Sequence, residues 1–142
     1  MPVVTINYLA VLLCAIASMV LGSLWYGPLF GKQWVALAGI TPEQMERGKR
    51  AGMWNLYALA LIGALVMAHV LAFSLAFASS YFNATGVFVG LMAGFWNWLG
   101  FIAPVTLGSV LWEGKSWKLW ILNNAYQLVL LLIMGVILAV WV

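Results

Sequence analysis

Three stretches of this chain contain no Asp, Glu, Lys or Arg: Met1–Gly31, Ala51–Trp112 and Leu119–Val142. A charged side chain at the centre of a spanning helix costs roughly 2.5–3.5 kcal/mol, so apolar blocks of this length point to a bilayer. The middle block is about twice the ~20 residues that one crossing needs, so it must cross, turn and return. The pattern predicts four spanning helices at about 6–26, 53–78, 87–110 and 119–141. Inner loops at 27–52 and 111–118 and an outer turn at 79–86 join them. The expected fold is an all-α integral membrane protein, a four-helix bundle forming one domain over residues 1–142.

Local signals refine this outline. Tyr8 and the Trp25–Tyr26 pair stand at opposite ends of the first helix, where amphipathic rings favour the membrane interface. Pro28 ends that helix. Leu29–Gly39 is too short to span and is expected to lie along the inner surface, anchored by Trp34. Thr41-Pro42-Glu43-Gln44 has a capping Thr, a Pro at the first helical position and a Gln three residues after the cap. The helix it starts is expected to run through Arg47, Lys49 and Arg50 into the second span. Pro104 predicts a kink in the third span, with Thr106 placed to satisfy a freed carbonyl.

Charge fixes an orientation. The chain has 6 Lys and Arg against 3 Asp and Glu. All the basic residues fall in two segments, Lys32–Arg50 and Lys115–Lys118. The positive-inside rule puts both segments in the cytoplasm and both termini outside, in a bacterial plasma membrane. With a mean hydropathy of +1.08, the pI of about 9.3 reflects topology rather than nucleic acid binding. The basic residues could also meet anionic headgroups, at ~1 kcal/mol each. Cys14 is the single cysteine, which excludes an internal disulfide and a CxxC pair. No basic region precedes the first helix, so it is expected to be retained as a span.

Small residues recur every four positions on three helices: Ala10, Cys14, Ser18 and Gly22; Ala60, Ala64, Ala68, Ala72 and Ala76; Gly86, Gly90 and Gly94. Such stripes let membrane helices approach closely. They serve either packing within the bundle or, most plainly for the glycines, a homo-oligomer contact. Ordered matches between the halves predict a parallel 2+2 internal repeat. Leu21-Gly22-Ser23 with Trp25 returns as Leu107-Gly108-Ser109 with Trp112, and Gly31-Lys32-Gln33-Trp34 as Gly114-Lys115-Ser116-Trp117. Asn55 and Tyr57 return as Asn124 and Tyr126.

The repeat would gather Trp25, Tyr26, Lys32, Asn55, Tyr57, Trp112, Glu113, Lys115, Asn124 and Tyr126 around the inner mouth. Amides, phenols and lysines there suit a headgroup, phosphate or carboxylate; otherwise they are interfacial anchors. His69 is the only ionisable His, Lys, Arg, Asp or Glu deep in a span, and such residues are functional candidates. Asn97 falls at a similar depth, so a His69–Asn97 hydrogen bond is expected, as a polar site or a bridge between helices. No residue set suggests catalysis, a metal or a cofactor.

Asn7-Tyr8-Leu9-Ala10, Trp25-Tyr26-Gly27-Pro28-Leu29-Phe30-Gly31-Lys32 and Trp112-Glu113-Gly114-Lys115-Ser116-Trp117-Lys118 resemble segments of the domain-of-unknown-function family 1761. Ala68-His69, Gly100-Phe101 with Pro104, and Ala125-Tyr126-Gln127 continue the likeness over nearly the whole chain. The resemblance implies a small four-helix membrane protein and brings no activity with it. The leading functional expectation is binding or transport of a small molecule, anion or amphiphile at the inner mouth. An accessory or assembly protein is the alternative, and a membrane enzyme comes third. The expected partners are the lipid bilayer and a second copy of the chain.

Overall fold

The computed structural model describes residues 5–141. In chain order the helices are α1 (Tyr8–Leu24), α2 (Gly31–Ala38), α3 (Pro42–Arg50), α4 (Met53–Phe82), α5 (Val87–Asn97), α6 (Ala103–Leu111) and α7 (Trp117–Val140). A kinked turn follows α1, at Trp25–Leu29, and a widened π-helical turn joins α5 to α6, at Trp98–Ile102. Four rods are thus long and apolar enough to cross a membrane: Tyr8–Leu29, Met53–Phe82, Val87–Leu111 and Trp117–Val140. The protein is an all-α integral membrane protein with a four-helix bundle.

Caps explain where the rods begin. The Asn7 Oδ1 accepts the Leu9 and Ala10 amides at 3.1 and 3.3 Å, and Ser116 Oγ accepts the Leu119 amide at 3.1 Å. Thr41 and Gln44 form the reciprocal box expected of them, at 3.2 and 3.0 Å. The helix they start does not continue into the second span. Gly52, with φ +85°, breaks it after Arg50, so α3 and α4 are separate. The turn expected at 79–86 is also shorter than expected. Ser79–Phe82 are uncharged and remain helical, and the reversal occurs where Asn83 takes φ 49° and Gly86 φ 102°.

The prolines sit at or beside these two turns. Pro28 lies inside the first, beside Gly27, whose φ and ψ of −112° and −105° break the helix. The second immediately precedes the turn that holds Pro104, which lacks the N–H that would bond back along the helix. Thr106 does not reach the carbonyl freed at Gly100. Its hydroxyl donates to the Ile102 carbonyl at 2.7 Å instead.

Packing follows the small-residue stripes. Ala10, Cys14 and Ala15 of α1 are fully buried, with Ala64 and Ala68 of α4 nearly so, and these two helices meet along their length. The other side of the core is α7, through Leu130, Leu131, Met134, Leu138 and Ala139. Gly90 of α5 faces Gly135 of α7 so closely that a methyl on either would overlap the other's carbonyl oxygen. A methyl on Gly94 would lie 2.5 Å from the Leu131 carbonyl oxygen. Gly90 and Gly94 are therefore spent inside the bundle. Gly86 is not in this contact: it caps α5 and has nothing within 4 Å of its missing side chain.

α1 and α7 run antiparallel. Asn7 Nδ2 donates to the Trp141 carbonyl at 3.1 Å at one end, and Tyr26 OH to Asn123 Oδ1 at 2.8 Å towards the other. Lys32 on α2 and Lys115 and Lys118 beside the start of α7 share this second end. The residues matched between the two halves do not share environments. Asn124 is 3% exposed whereas Asn55 is exposed, and Gly31 opens a helix whereas Gly114 makes a turn with φ +69°.

A polar cleft at the basic end

On α7, Trp120, Asn123, Asn124 and Gln127 follow the spacing i, i+3, i+4, i+7, which places them on one helical face. The buried member is Asn124. Its Nδ2 donates to Thr106 Oγ1 at 3.0 Å and to the Trp120 carbonyl at 2.9 Å. Its main-chain carbonyl accepts the indole N–H of Trp98 at 2.9 Å. The π turn that starts at Trp98 and the helix that carries Thr106 are thus both tied to one residue of α7.

Beside this anchor, α6, α7 and their connecting turn border a cleft of about 530 Å³. Val105, Thr106, Gly108 and Ser109 form one wall, and Leu119, Trp120, Asn123 and Asn124 the other. Trp112, Glu113 and Lys115 stand at the turn. Trp120 Nε1 is shielded from solvent and has no hydrogen-bond partner among the described residues. Trp25 Nε1 and Gln127 Oε1 are buried and unpartnered in the same way.

An aromatic cluster adjoins the cleft through Asn123. Tyr26 packs edge-on against Trp34 at 5.2 Å and Tyr126 at 5.1 Å, and Trp25 lies 4.7 Å from Phe30 and 6.1 Å from Tyr126. Tyr126 OH donates to the Ser18 carbonyl at 3.3 Å, which ties the cluster to α1.

The candidate residues therefore divide. Trp112, Glu113, Lys115 and Asn124 share the cleft, and Trp25, Tyr26 and Tyr126 form the neighbouring cluster. Lys32 is exposed on α2, and Asn55 and Tyr57 are exposed on the first turns of α4, outside both groups. Trp98, Ser109, Trp120, Asn123 and Gln127 were not anticipated, although the helical spacing of polar residues along α7 was there to be used.

The expected His69–Asn97 contact does not form. Asn97 Nδ2 donates to Ser74 Oγ at 2.9 Å and to the Ala93 carbonyl at 2.8 Å, across the α4–α5 interface. Ser74 lies five residues beyond His69, ~140° around the helix at ~100° per residue. His69 consequently faces another neighbour. Its ring stacks on Tyr8 at 5.9 Å and meets Phe73 at 5.0 Å, and it has no hydrogen bond among the described residues. His69→Phe keeps this ring packing, so its thermal unfolding in detergent should match wild type within about 0.5 kcal/mol. A loss of about 1–3 kcal/mol would reveal a buried polar partner.

The family model for DUF1761, protein of unknown function, matches residues 9–139. The chain belongs to the DUF1761 family. No curated protein and no solved structure matches it. Family membership therefore assigns this member no chemistry, and its cleft has to be interpreted from its own residues.

Proposed function

We propose that this DUF1761 protein is a non-catalytic membrane module that binds a small polar or amphiphilic molecule in the α6–α7 cleft. In this reading the cleft opens at the cytoplasmic face, because both basic segments lie at that end and positive charge is retained inside. The observation that supports it is a 530 Å³ space in which Thr106, Ser109, Asn123 and Asn124 meet Glu113 and Lys115 between two indoles, Trp112 and Trp120. Ligand sites take this form, concave with a few convergent polar groups. Binding followed by release to the other side would make the module a transporter; binding alone would make it a sensor or carrier. Use of Gly90 and Gly94 within the bundle removes the main sequence argument for assembly with another copy.

Gly108→Leu tests the reading. Gly108 lines the cleft, and a Cβ there meets only Trp112 Cδ1, at an ordinary 3.7 Å, so the larger side chain fills the space without disturbing the backbone. Native mass spectra of gently extracted wild type should show a retained adduct of defined mass that Gly108→Leu loses while its melting temperature is kept. Identical adducts on both proteins would place any bound molecule elsewhere.

A further inference from the structure

The rim of the cleft carries one acid and one base that do not neutralise each other. Glu113 and Lys115 flank Gly114 on the turn between α6 and α7, and both border the same space. The only ion pair among the described residues joins Glu46 to Arg50, so neither Glu113 nor Lys115 has a charged partner. Trp112 and Trp120 border the space as well, and indole faces attract cations.

These groups ask for two different things. Lys115 calls for an anionic acceptor, in a charge-assisted contact. Glu113 and the indole faces call for an ammonium. A simple anion would also meet Glu113, and a simple cation would also meet Lys115. Electrostatic complementarity selects partners in this way, by repulsion as much as attraction.

Resting on the interpretation of the cleft as a binding site, we propose that its ligand is a zwitterion, with an ammonium set against Glu113 and a carboxylate or phosphate set against Lys115. A free amino acid and a phosphoethanolamine lipid headgroup share this chemistry. A lipid would place its headgroup in the cleft and its chains along the outside of the bundle.

The intact protein, purified in mild detergent, should be offered equal amounts of phosphatidylethanolamine and phosphatidylglycerol and read by native mass spectrometry. Glycine and phosphoethanolamine should be titrated separately by calorimetry. A zwitterion site is supported if wild type prefers phosphatidylethanolamine about tenfold, the worth of one charge-assisted contact, or binds a soluble zwitterion in the calorimeter. The first result assigns the headgroup and the second the free solute. Glu113→Lys should then reverse the lipid preference or abolish solute binding, and Lys115→Glu should abolish either. Both residues are exposed, so the melting temperatures of these variants should stay at the wild-type value.

Equal or greater retention of phosphatidylglycerol, without binding of either soluble zwitterion, would overturn the zwitterion and leave a simple anion site. Insensitivity of the preference to both charge changes would also overturn it. If nothing retained by wild type is lost from Gly108→Leu, the cleft is not a site at all and the underlying function fails with it.

Discussion

Gly90→Leu should leave little folded protein. A side chain at Gly90 would overlap the Gly135 carbonyl oxygen and bring its Cβ within 2.8 Å of the Ala139 methyl. A neighbouring side chain could rotate aside, but a helix backbone cannot. Relief requires α5 and α7 to separate along their closest contact, which also carries Gly94 and Leu131. Overpacking that side chains absorb costs about 1–3 kcal/mol, and this substitution should exceed that range. Gly63→Leu is the control: Gly63 is exposed on α4 with nothing within 4 Å, so it should melt with wild type. Thermal unfolding and gel filtration in detergent distinguish the outcomes. A Gly90→Leu protein that keeps its melting temperature but loses copies would return the glycines to an oligomer contact. One unchanged in both would mean that α5 and α7 do not meet as described.

The spanning rods were legible because the bilayer enforces them: charge is excluded over a fixed length, and Ala51–Trp112 is too long for one crossing and about right for two. Small-residue stripes on α1 and α4 were legible for a related reason, since close approach needs small side chains whatever the partner. The ends of the elements were less legible. Uncharged Ser79–Phe82 look like a turn by composition but extend α4, because Asn83 and Gly86 make the reversal. The Thr41 box identified a helix start, yet a single positive-φ glycine at position 52 decided where that helix stopped.

The site divides along the same line. Trp112, Glu113 and Lys115 are contiguous in sequence and so were found together, while Asn124 was found for its match to Asn55. That match did not carry environment with it, because Asn55 sits on an exposed first turn and Asn124 behind the π turn. Contacts such as Trp98 to Asn124 depend on where the π turn widens the helix, which hydropathy does not reveal. The His69–Asn97 expectation used depth alone. Rotation about the helix axis, set here by the Ser74–Asn97 bond, is the other coordinate.

That anchor provides the second large effect. Asn124→Asp should strongly destabilise the protein although it changes the side chain's shape very little. The Nδ2 of Asn124 now points at two oxygens, Trp120 O at 2.9 Å and Thr106 Oγ1 at 3.0 Å. A carboxylate oxygen in its place would face a carbonyl it can only repel. Thr106 could turn its proton toward the carboxylate, but only by giving up its 2.7 Å bond to the Ile102 carbonyl beside the π turn. At 3% exposure a carboxylate would be largely desolvated, and a charge in a span costs about 2.5–3.5 kcal/mol. Asn123→Asp, one residue away on the half-buried cleft wall, should lose clearly less, since its Oδ1 already accepts from Tyr26 and an oxygen there is welcome. Thermal unfolding of the two variants side by side measures the difference. Equal losses would show that Asn124 is no more enclosed than Asn123, and the connection between α7, Thr106 and the π turn would have to be abandoned.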